Sequence, residues 1–283
     1  MHFDNGEDFQ MVIEGIIENR YNLEDIGVHF KSMERVLNEI PADTLEVMDK
    51  NMVEDKFSSI LTISQEGNEK YIRPVVDSRT LRTLVNSEGN LAIGDTVYHF
   101  TYDKTYAMAL SKFTTSDQIQ SGADRIYEVI RKSGNNTGVR GVIDCIDYYG
   151  GEKRKQQRRM KGELWDYNNT VYQEISVGVE NFDKNLAHIW KKDDATNIWL
   201  EGHFEVQYYD SYQGWVNIAD DLDEYRFHES DIEVIIISRY LDGNSLGNVT
   251  WDGTDMLFKA NEVDDSEVRH DGTWDQAQCT IIE

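Results

Sequence analysis

Residues 243–247 match the pattern G-x-S-x-G, in which a serine between two glycines can act as a nucleophile. Candidate partners follow in the chain order of an α/β-hydrolase triad: Asp252, Asp255, Asp264, Asp265 and then His270. That mechanism needs Ser245 on a sharp strand-to-helix turn, but residues 248–253 favour a turn and a strand. We therefore interpret the segment as a hairpin loop, with a hydrolase using Ser245 as an alternative.

A second candidate site is the triplet Glu201, His203 and Glu205, whose spacing puts all three side chains on one face of a strand. Such a set could bind a divalent metal or transfer protons. Since no further histidine follows at a ligand spacing, we favour a solvated strand face with cross-strand partners.

Two acidic stretches, residues 220–224 and 264–267, offer the oxygen ligands that Ca²⁺ prefers. Neither has the order of an EF-hand loop. We expect loop acids that add to the net charge and no cofactor, with Ca²⁺ as the alternative.

A basic stretch stands out in the acidic chain and contains six of its 28 basic residues: Lys153, Arg154, Lys155, Arg158, Arg159 and Lys161. It could contact phosphate, an anionic headgroup or an acidic region of a neighbouring copy. We favour a solvated hairpin rim that pairs with nearby acids.

Four aromatic residues, Tyr208, Tyr209, Tyr212 and Trp215, cluster where a predicted strand runs into a loop. Exposed rings of this kind offer flat apolar faces to a glycan or a protein partner. The alternative is packing beside a β core.

The two cysteines, Cys145 and Cys279, fall in the β-rich part of the chain. They could form a disulfide in an oxidising compartment or remain as two buried free thiols. Their spacing in the sequence does not choose between the two.

The elements that must position these residues change in character along the chain. Residues 1–70 show helical periodicity, for example in Phe9, Val12, Ile13 and Ile16, and Pro41 ends a second helix. Residues 71–137 favour a small α+β segment, with a strand over 91–102 and a helix over 119–130. Residues 138–283 alternate apolar and polar positions and predict a β-rich, sandwich-like domain. The predicted fold class is α+β, with a helical N-terminal region and an antiparallel C-terminal sandwich.

Composition narrows the possible functions further. The 283 residues include 53 acidic and 28 basic side chains, so the net charge is −25. This charge opposes general binding to nucleic acid. The longest aliphatic run, residues 234–237, is far shorter than the roughly 20 residues of a membrane-spanning helix. The first residues do not show a signal peptide.

Four segments resemble an uncharacterised group of bacterial envelope proteins, often lipoproteins. They are FDNGEDF at residues 3–9, LVNSEGNLAIGDTVY at 84–98, RRMKGELW at 158–165, and ISVGVE at 175–180 followed by Trp190. The resemblance implies export and surface tethering and carries no functional residues. A lipidated N-terminal cysteine is missing from the sequence as written.

These observations favour a non-catalytic binding or structural module at the cell envelope, with a protein or glycan partner. The expected location is extracytoplasmic if a signal was removed, and cytoplasmic or in a virion otherwise. The first alternative is a structural component of a phage particle or surface appendage, and the second is the Ser245 hydrolase. The sequence does not predict an oligomeric state.

The loop interpretation of residues 243–247 predicts that Ser245→Ala leaves any hydrolytic activity of the protein unchanged. Hydrolysis of generic ester substrates by the wild type and the variant tests this. A loss beyond about a hundredfold in kcat/KM, with an unchanged circular dichroism spectrum, would contradict it.

Overall fold

A computed structural model describes residues 1–18, 30–133, 144–149, 158–169, 171–210, 213–241, 249–251, 253–262 and 275–282. Of these described residues, 57% lie in strands and 21% in helices, so the structure is mostly β. The predicted α+β class with a helical N-terminal region is therefore wrong. The predicted sandwich-like arrangement of sheets in the second half is confirmed.

The helices are present but short, and four of the six described α-helices begin at a residue whose side chain caps them. Asn5 accepts a hydrogen bond from the Asp8 amide at the start of the first helix, and Ser32, Asp49 and Ser78 cap three others in the same way. The helices are α1 Gly6–Ile17, α2 Met33–Asn38, α3 Ala42–Val47, α4 Lys50–Met52, α5 Arg79–Leu84 and α6 Ser116–Gly122, with a π-helical turn Val53–Phe57 and a 3₁₀ turn Leu110–Lys112.

These helices do not form a core of their own, which is why the N-terminal expectation fails. Phe9 and Ile13 of α1 are fully buried in one cluster with Leu61 and Ile72, which lie on strands, and with Tyr172 from far along the chain. A helix of 12 residues such as α1 is still marginal alone, so packing against a sheet supplies its stability.

The described residues contain eighteen strands in three sheets. They are β1 His2–Phe3, β2 Leu61–Glu66, β3 Glu69–Pro74, β4 Asn90–Ile93, β5 Thr96–Phe100, β6 Lys104–Ala109, β7 Arg125–Glu128, β8 Ile130–Ser133, β9 Asp144–Tyr149, β10 Arg158–Asn168, β11 Tyr172–Lys184, β12 Trp190–Lys192, β13 Ala195–Asp210, β14 Gly214–Glu229, β15 Asp231–Tyr240, β16 Val249–Trp251, β17 Asp255–Glu262 and β18 Asp275–Ile282.

The first sheet has the order β1-β4-β5-β6-β7, with β1 parallel to β4. The central sheet runs β2-β3-β12-β11-β10-β8, with β15 also paired to β11 and β9 to β10. The third sheet runs β14-β13-β17-β18, and β16 also pairs with β13. The central sheet thus joins the β2–β3 hairpin to strands that lie about a hundred residues later.

Two predictions for the middle of the chain need correction. The strand expected over 91–102 is two strands, β4 and β5, which turn at Gly94 with a φ of 55°. The helix expected over 119–130 ends at Gly122, and Ile126 lies on β7 opposite Tyr106. Glycine is a poor helix former, and pairing with β6 satisfies the backbone beyond it.

The sandwich is built from the predicted alternation on β13. Ile198, Leu200, Phe204, Val206 and Tyr208 are buried and face inward. They pack against one face of the central sheet, whose inward residues are Met160, Leu164, Ile175, Val177 and Val179. The opposite face of the same sheet is polar around Lys161, Glu163 and Glu180, and it carries the buried rings of Tyr167, Tyr172 and Phe182 toward the strand ends.

Cys145 on β9 and Cys279 on β18 form a disulfide, with Cα atoms 5.8 Å apart. Of the two alternatives in the sequence, the structure therefore contains the bridge. It joins an outer strand of the central sheet to the last strand of the third sheet across a separation of 134 residues.

Among the described residues, no helix has the length and apolar character needed to cross a bilayer.

Replacing both cysteines, as in Cys145→Ser with Cys279→Ser, is expected to lower the free energy of unfolding by about 5 kcal/mol, the loop-entropy value for a closure of this length. Urea unfolding of both proteins, with and without reductant, measures the change. Reductant should destabilise the wild type and leave the double variant unchanged. A difference below about 1 kcal/mol would contradict the bridge's stabilising role.

Candidate functional site

The polar face of the central sheet carries the candidate site. Side chains alternate along a strand, so the burial of Met160 and Leu164 in the sandwich turns Lys161, Glu163 and Trp165 to the other side. On β11 the same alternation presents Ser176, Gly178 and Glu180 beside them.

The register places the polar residues of neighbouring strands in rows. Lys161, Glu180 and Asp231 form one row across β10, β11 and β15. The adjacent row contains the carboxylates of Asp144 on β9, Glu163 on β10 and Glu233 on β15.

A partly enclosed cavity of about 430 Å³ lies over these rows. The β2–β3 hairpin and α5 cover it with Arg73 and Arg82, and the aromatic side chains of Tyr102 and Trp165 also line it. Its lining holds four basic residues, Arg73, Arg82, Lys161 and Lys192, and seven acidic residues, Glu66, Asp77, Asp144, Glu163, Glu180, Asp231 and Glu233.

Glu180 is the best-partnered acid in the cavity. Its Oε2 accepts a hydrogen bond from Arg73 Nη1 at 2.6 Å, and its Oε1 lies 2.8 Å from Lys192 Nζ. Lys192 also contacts Asp231. Burial alone would raise the pKa of Glu180, but Arg73 and Lys192 outweigh it and hold that pKa far below its ordinary value. The carboxylate is therefore ionised and fixed.

Lys161 forms a second charged group at the other end of its row. Its Nζ lies 3.0 Å from Glu66 and 3.6 Å from Asp144, and it contacts Glu163. Burial lowers the pKa of Lys161, but Glu163 and Glu66 more than compensate and raise it to about 12. Lys161 is thus a buried cation with its partners in place.

Arg82 is also paired within the protein. Its Nε donates to Glu34 at 2.7 Å, and its Nη1 donates to the carbonyls of Val76 at 3.0 Å and Asp77 at 2.5 Å. This pairing fixes α5 against the loop that enters it.

Glu233 differs from the other acids. Its Oε1 accepts a hydrogen bond from Ser176 at 3.2 Å, and among the described residues it forms no ion pair. Burial raises its pKa well above the ordinary value, and Glu174 and Asp231 add to the effect. Burial and the nearby Glu180 likewise raise the pKa of Glu163, despite Lys161. Burial therefore disfavours the ionised form of both groups, although Glu163 has Lys161 as a partner and Glu233 has no such ion pair among the described residues.

Of the predicted basic patch, Lys153, Arg154 and Lys155 lie outside the described residues. Arg158, Arg159 and Lys161 do not form a solvated rim, because all three are buried on β10. Arg158 pairs with Asp193 at 3.4 Å, and the Arg159 guanidinium lies 5.0 Å from the ring centre of Tyr71. The stretch is basic in sequence, but in the fold its described residues are buried and contact acidic and aromatic side chains.

The predicted aromatic surface divides in two. Tyr208 faces the sandwich core, whereas Tyr209 and Trp215 are exposed at the end of the β13–β14 hairpin and pack edge to face, with ring centres 5.6 Å apart. Tyr212 lies outside the described residues.

The triplet on β13 is spread over separate partners. Glu201 pairs with Lys259 at 2.7 Å, His203 contacts Asp221 at 2.8 Å, and Glu205 accepts a hydrogen bond from Asn217 at 2.7 Å. Each partner lies on a neighbouring strand, as the solvated-face interpretation predicts.

Residues 220–224 lie within β14 and not in a loop, so their side chains alternate between its faces. No group of three or more metal-ligating side chains occurs among the described residues. The second acidic stretch, residues 264–267, lies outside them, as do residues 243–247 and His270.

Sequence reasoning missed most of the cavity, since only Lys161 among its lining residues was a candidate. A signal was present in the alternation on β10, where Lys161, Glu163 and Trp165 are interleaved with buried apolar residues. Asp231 and Glu233 show the same spacing on β15. The partners from the β2–β3 hairpin had no such signal.

The protein is thus mostly β, and it has a partly enclosed cavity lined by charged side chains that are fixed by their partners. No protein-family model matches the chain, and no curated protein matches it. Among solved structures, it is similar to a DUF4848 family protein from Bacteroides thetaiotaomicron, at 10% identity over 100% of this chain and 96% of that chain, with a TM-score of 0.24.

The raised pKa of Glu233 predicts a pH-dependent effect of Glu233→Gln. Above about pH 4.3 the unfolded carboxyl ionises while the folded one keeps its proton, so wild-type stability falls by about 1.4 kcal/mol per pH unit until the folded pKa is reached. Glutamine does not titrate. Urea unfolding at pH 5 and pH 8 should therefore show the variant gaining stability relative to wild type as pH rises.

The matched control is Glu128→Gln, at a position on β7 whose side chain is 72% exposed. Its stability difference from wild type should stay nearly constant between the two pH values. A constant difference for Glu233→Gln as well would contradict the assignment.

Proposed function

We propose that the protein is a non-catalytic binding protein of the bacterial cell envelope that holds a small polar ligand in the charged cavity. The observation that carries this proposal is the cavity itself. Its volume of about 430 Å³ is in the range of small-molecule sites. Its charged side chains are held by partners within the protein, so the site is pre-organised.

The state of the carboxyl groups favours binding over catalysis. Ser176 donates to Glu233, a geometry that would suit a nucleophile beside a base. Burial raises the pKa of Glu233 well above its ordinary value and so disfavours the ionised form that a base requires. Glu180 is ionised but held by Arg73 and Lys192, which lowers its ability to accept a proton.

The location in the proposal has two supports. A disulfide between Cys145 and Cys279 persists in oxidising compartments and is rare in the cytosol of mesophiles. The four segments that resemble envelope proteins point the same way.

A second contact surface is supported by the exposed pair Tyr209 and Trp215, which are 45% and 59% accessible. Rings held edge to face at the end of a hairpin suit a protein or glycan partner. This surface is separate from the cavity, because β13 and β14 belong to the third sheet.

The experiment compares wild type with Gly178→Val, which places a branched side chain in the cavity floor. A library of small polar compounds is screened by thermal shift, and hits are measured by calorimetry. We expect at least one compound to stabilise the wild type by about 2.7 kcal/mol at a hundredfold excess over Kd and to lose this effect in Gly178→Val.

Ala219→Val is the control, since Ala219 is an exposed strand position on β14. It should respond to the compound as the wild type does. Equal shifts in all three proteins would place binding elsewhere, and the lack of any cavity-dependent compound would overturn the proposal.

A further inference from the structure

The carboxylate row has a gap at its centre. Gly178 on β11 lies directly between Glu163 on β10 and Glu233 on β15 in the register. Since glycine has no side chain, a notch remains between the two carboxyl groups. A Cβ at this position would already lie 3.1 Å from the Ile232 carbonyl oxygen, so the notch is narrow at its floor.

The dimensions of the notch follow from sheet geometry. Neighbouring strands lie about 4.8 Å apart, so the Glu163 and Glu233 backbones are separated by about 9.6 Å. That span leaves room for an ammonium that donates to a carboxylate on each side at about 2.8 Å.

The cavity lining contains more acidic than basic residues. The four basic residues of the lining are engaged with Glu34, Glu66, Asp144, Glu163, Glu180 and Asp231. Glu233 is left without an ion pair among the described residues. The lining has seven acids to four bases, so a ligand cation is favoured there over an anion.

We propose that the notch over Gly178 binds the protonated amine of a small organic cation, with Glu163 and Glu233 as its carboxylate partners. Ser176 holds the Glu233 carboxyl group in place through its 3.2 Å hydrogen bond. Trp165, two residues along β10 from Glu163, lines the same cavity and offers a ring to the ligand's carbon chain or charge. This inference rests on the proposed binding function and names its ligand class.

The raised pKa values of Glu163 and Glu233 agree with this arrangement. In the empty cavity, burial and neighbouring acids raise both pKa values, and Lys161 compensates this only at Glu163. A bound ammonium places a positive charge beside the two carboxyl groups and so favours their ionised form. A metal ion is a weaker fit, because the described residues contain no group of three metal-ligating side chains.

Calorimetry with 1,4-diaminobutane tests the proposal, with 1,4-butanediol and succinate as neutral and anionic compounds of the same length. We expect the diamine to bind the wild type and the Glu128→Gln control equally. Glu233→Gln and Glu163→Gln should each weaken binding at least tenfold. Gly178→Ala should also weaken it, because a methyl group enters the notch. Circular dichroism confirms that each variant is folded.

The inference is overturned if the diamine does not bind, if the diol or succinate binds as well as the diamine, or if Glu233→Gln binds the diamine as wild type does. These failures are separable from failure of the proposed function. If a neutral or anionic library compound binds the wild type but not Gly178→Val, the cavity is still a binding site and only the ligand class is wrong.

Discussion

Glu180 accepts hydrogen bonds or ion pairs from Arg73 on β3 and Lys192 on β12, and its own strand, β11, lies at the centre of the largest sheet. This arrangement joins the first third of the chain to the second half, because Arg73 and Glu180 are separated by 107 residues. Removing one member of a buried pair leaves an uncompensated charge and typically costs 3–5 kcal/mol. The position of the β2–β3 hairpin, and with it the roof of the cavity, depends on these contacts.

Burial raises the pKa of Glu180 and of Glu233 alike, but the two carboxyl groups have different partners. Two cations hold the pKa of Glu180 far below its ordinary value, whereas Glu233 has only a serine hydroxyl as a partner among the described residues and its pKa stays raised. A core selected for stability alone would have replaced the second carboxyl group by an apolar side chain. Groups whose retention costs stability tend to occur at functional sites, and this is the physical reason to look for a ligand beside Glu233.

The local sequence pattern predicted the structural features that depend on residues nearby in the chain. The alternation on β13 identified Ile198, Leu200 and Val206 as inward residues, and Pro41 marked the end of a helix. The predictions that were wrong concern residues whose structure depends on partners far away in the sequence. The helix expected through Ile126 is a strand because β6 is available to pair with it, and Arg159 is buried because Tyr71, 88 positions earlier, offers its ring. A stretch of basic residues is predicted to be solvated from the sequence alone, because the side chains that neutralise it in the fold lie far away in the chain.

The central sheet serves two purposes because side chains alternate along its strands. Ile175, Val177 and Val179 of β11 fill the sandwich core, while Ser176, Gly178 and Glu180 face the cavity. Glycine in a strand interior costs about 0.5–1 kcal/mol relative to alanine and removes a side chain that could pack. At Gly178 the apolar residues on either side are fully buried on the opposite face, so the strand tolerates that loss. The space that results is flanked by carboxyl groups on both neighbouring strands, which makes it the part of the sheet best suited to hold a cation.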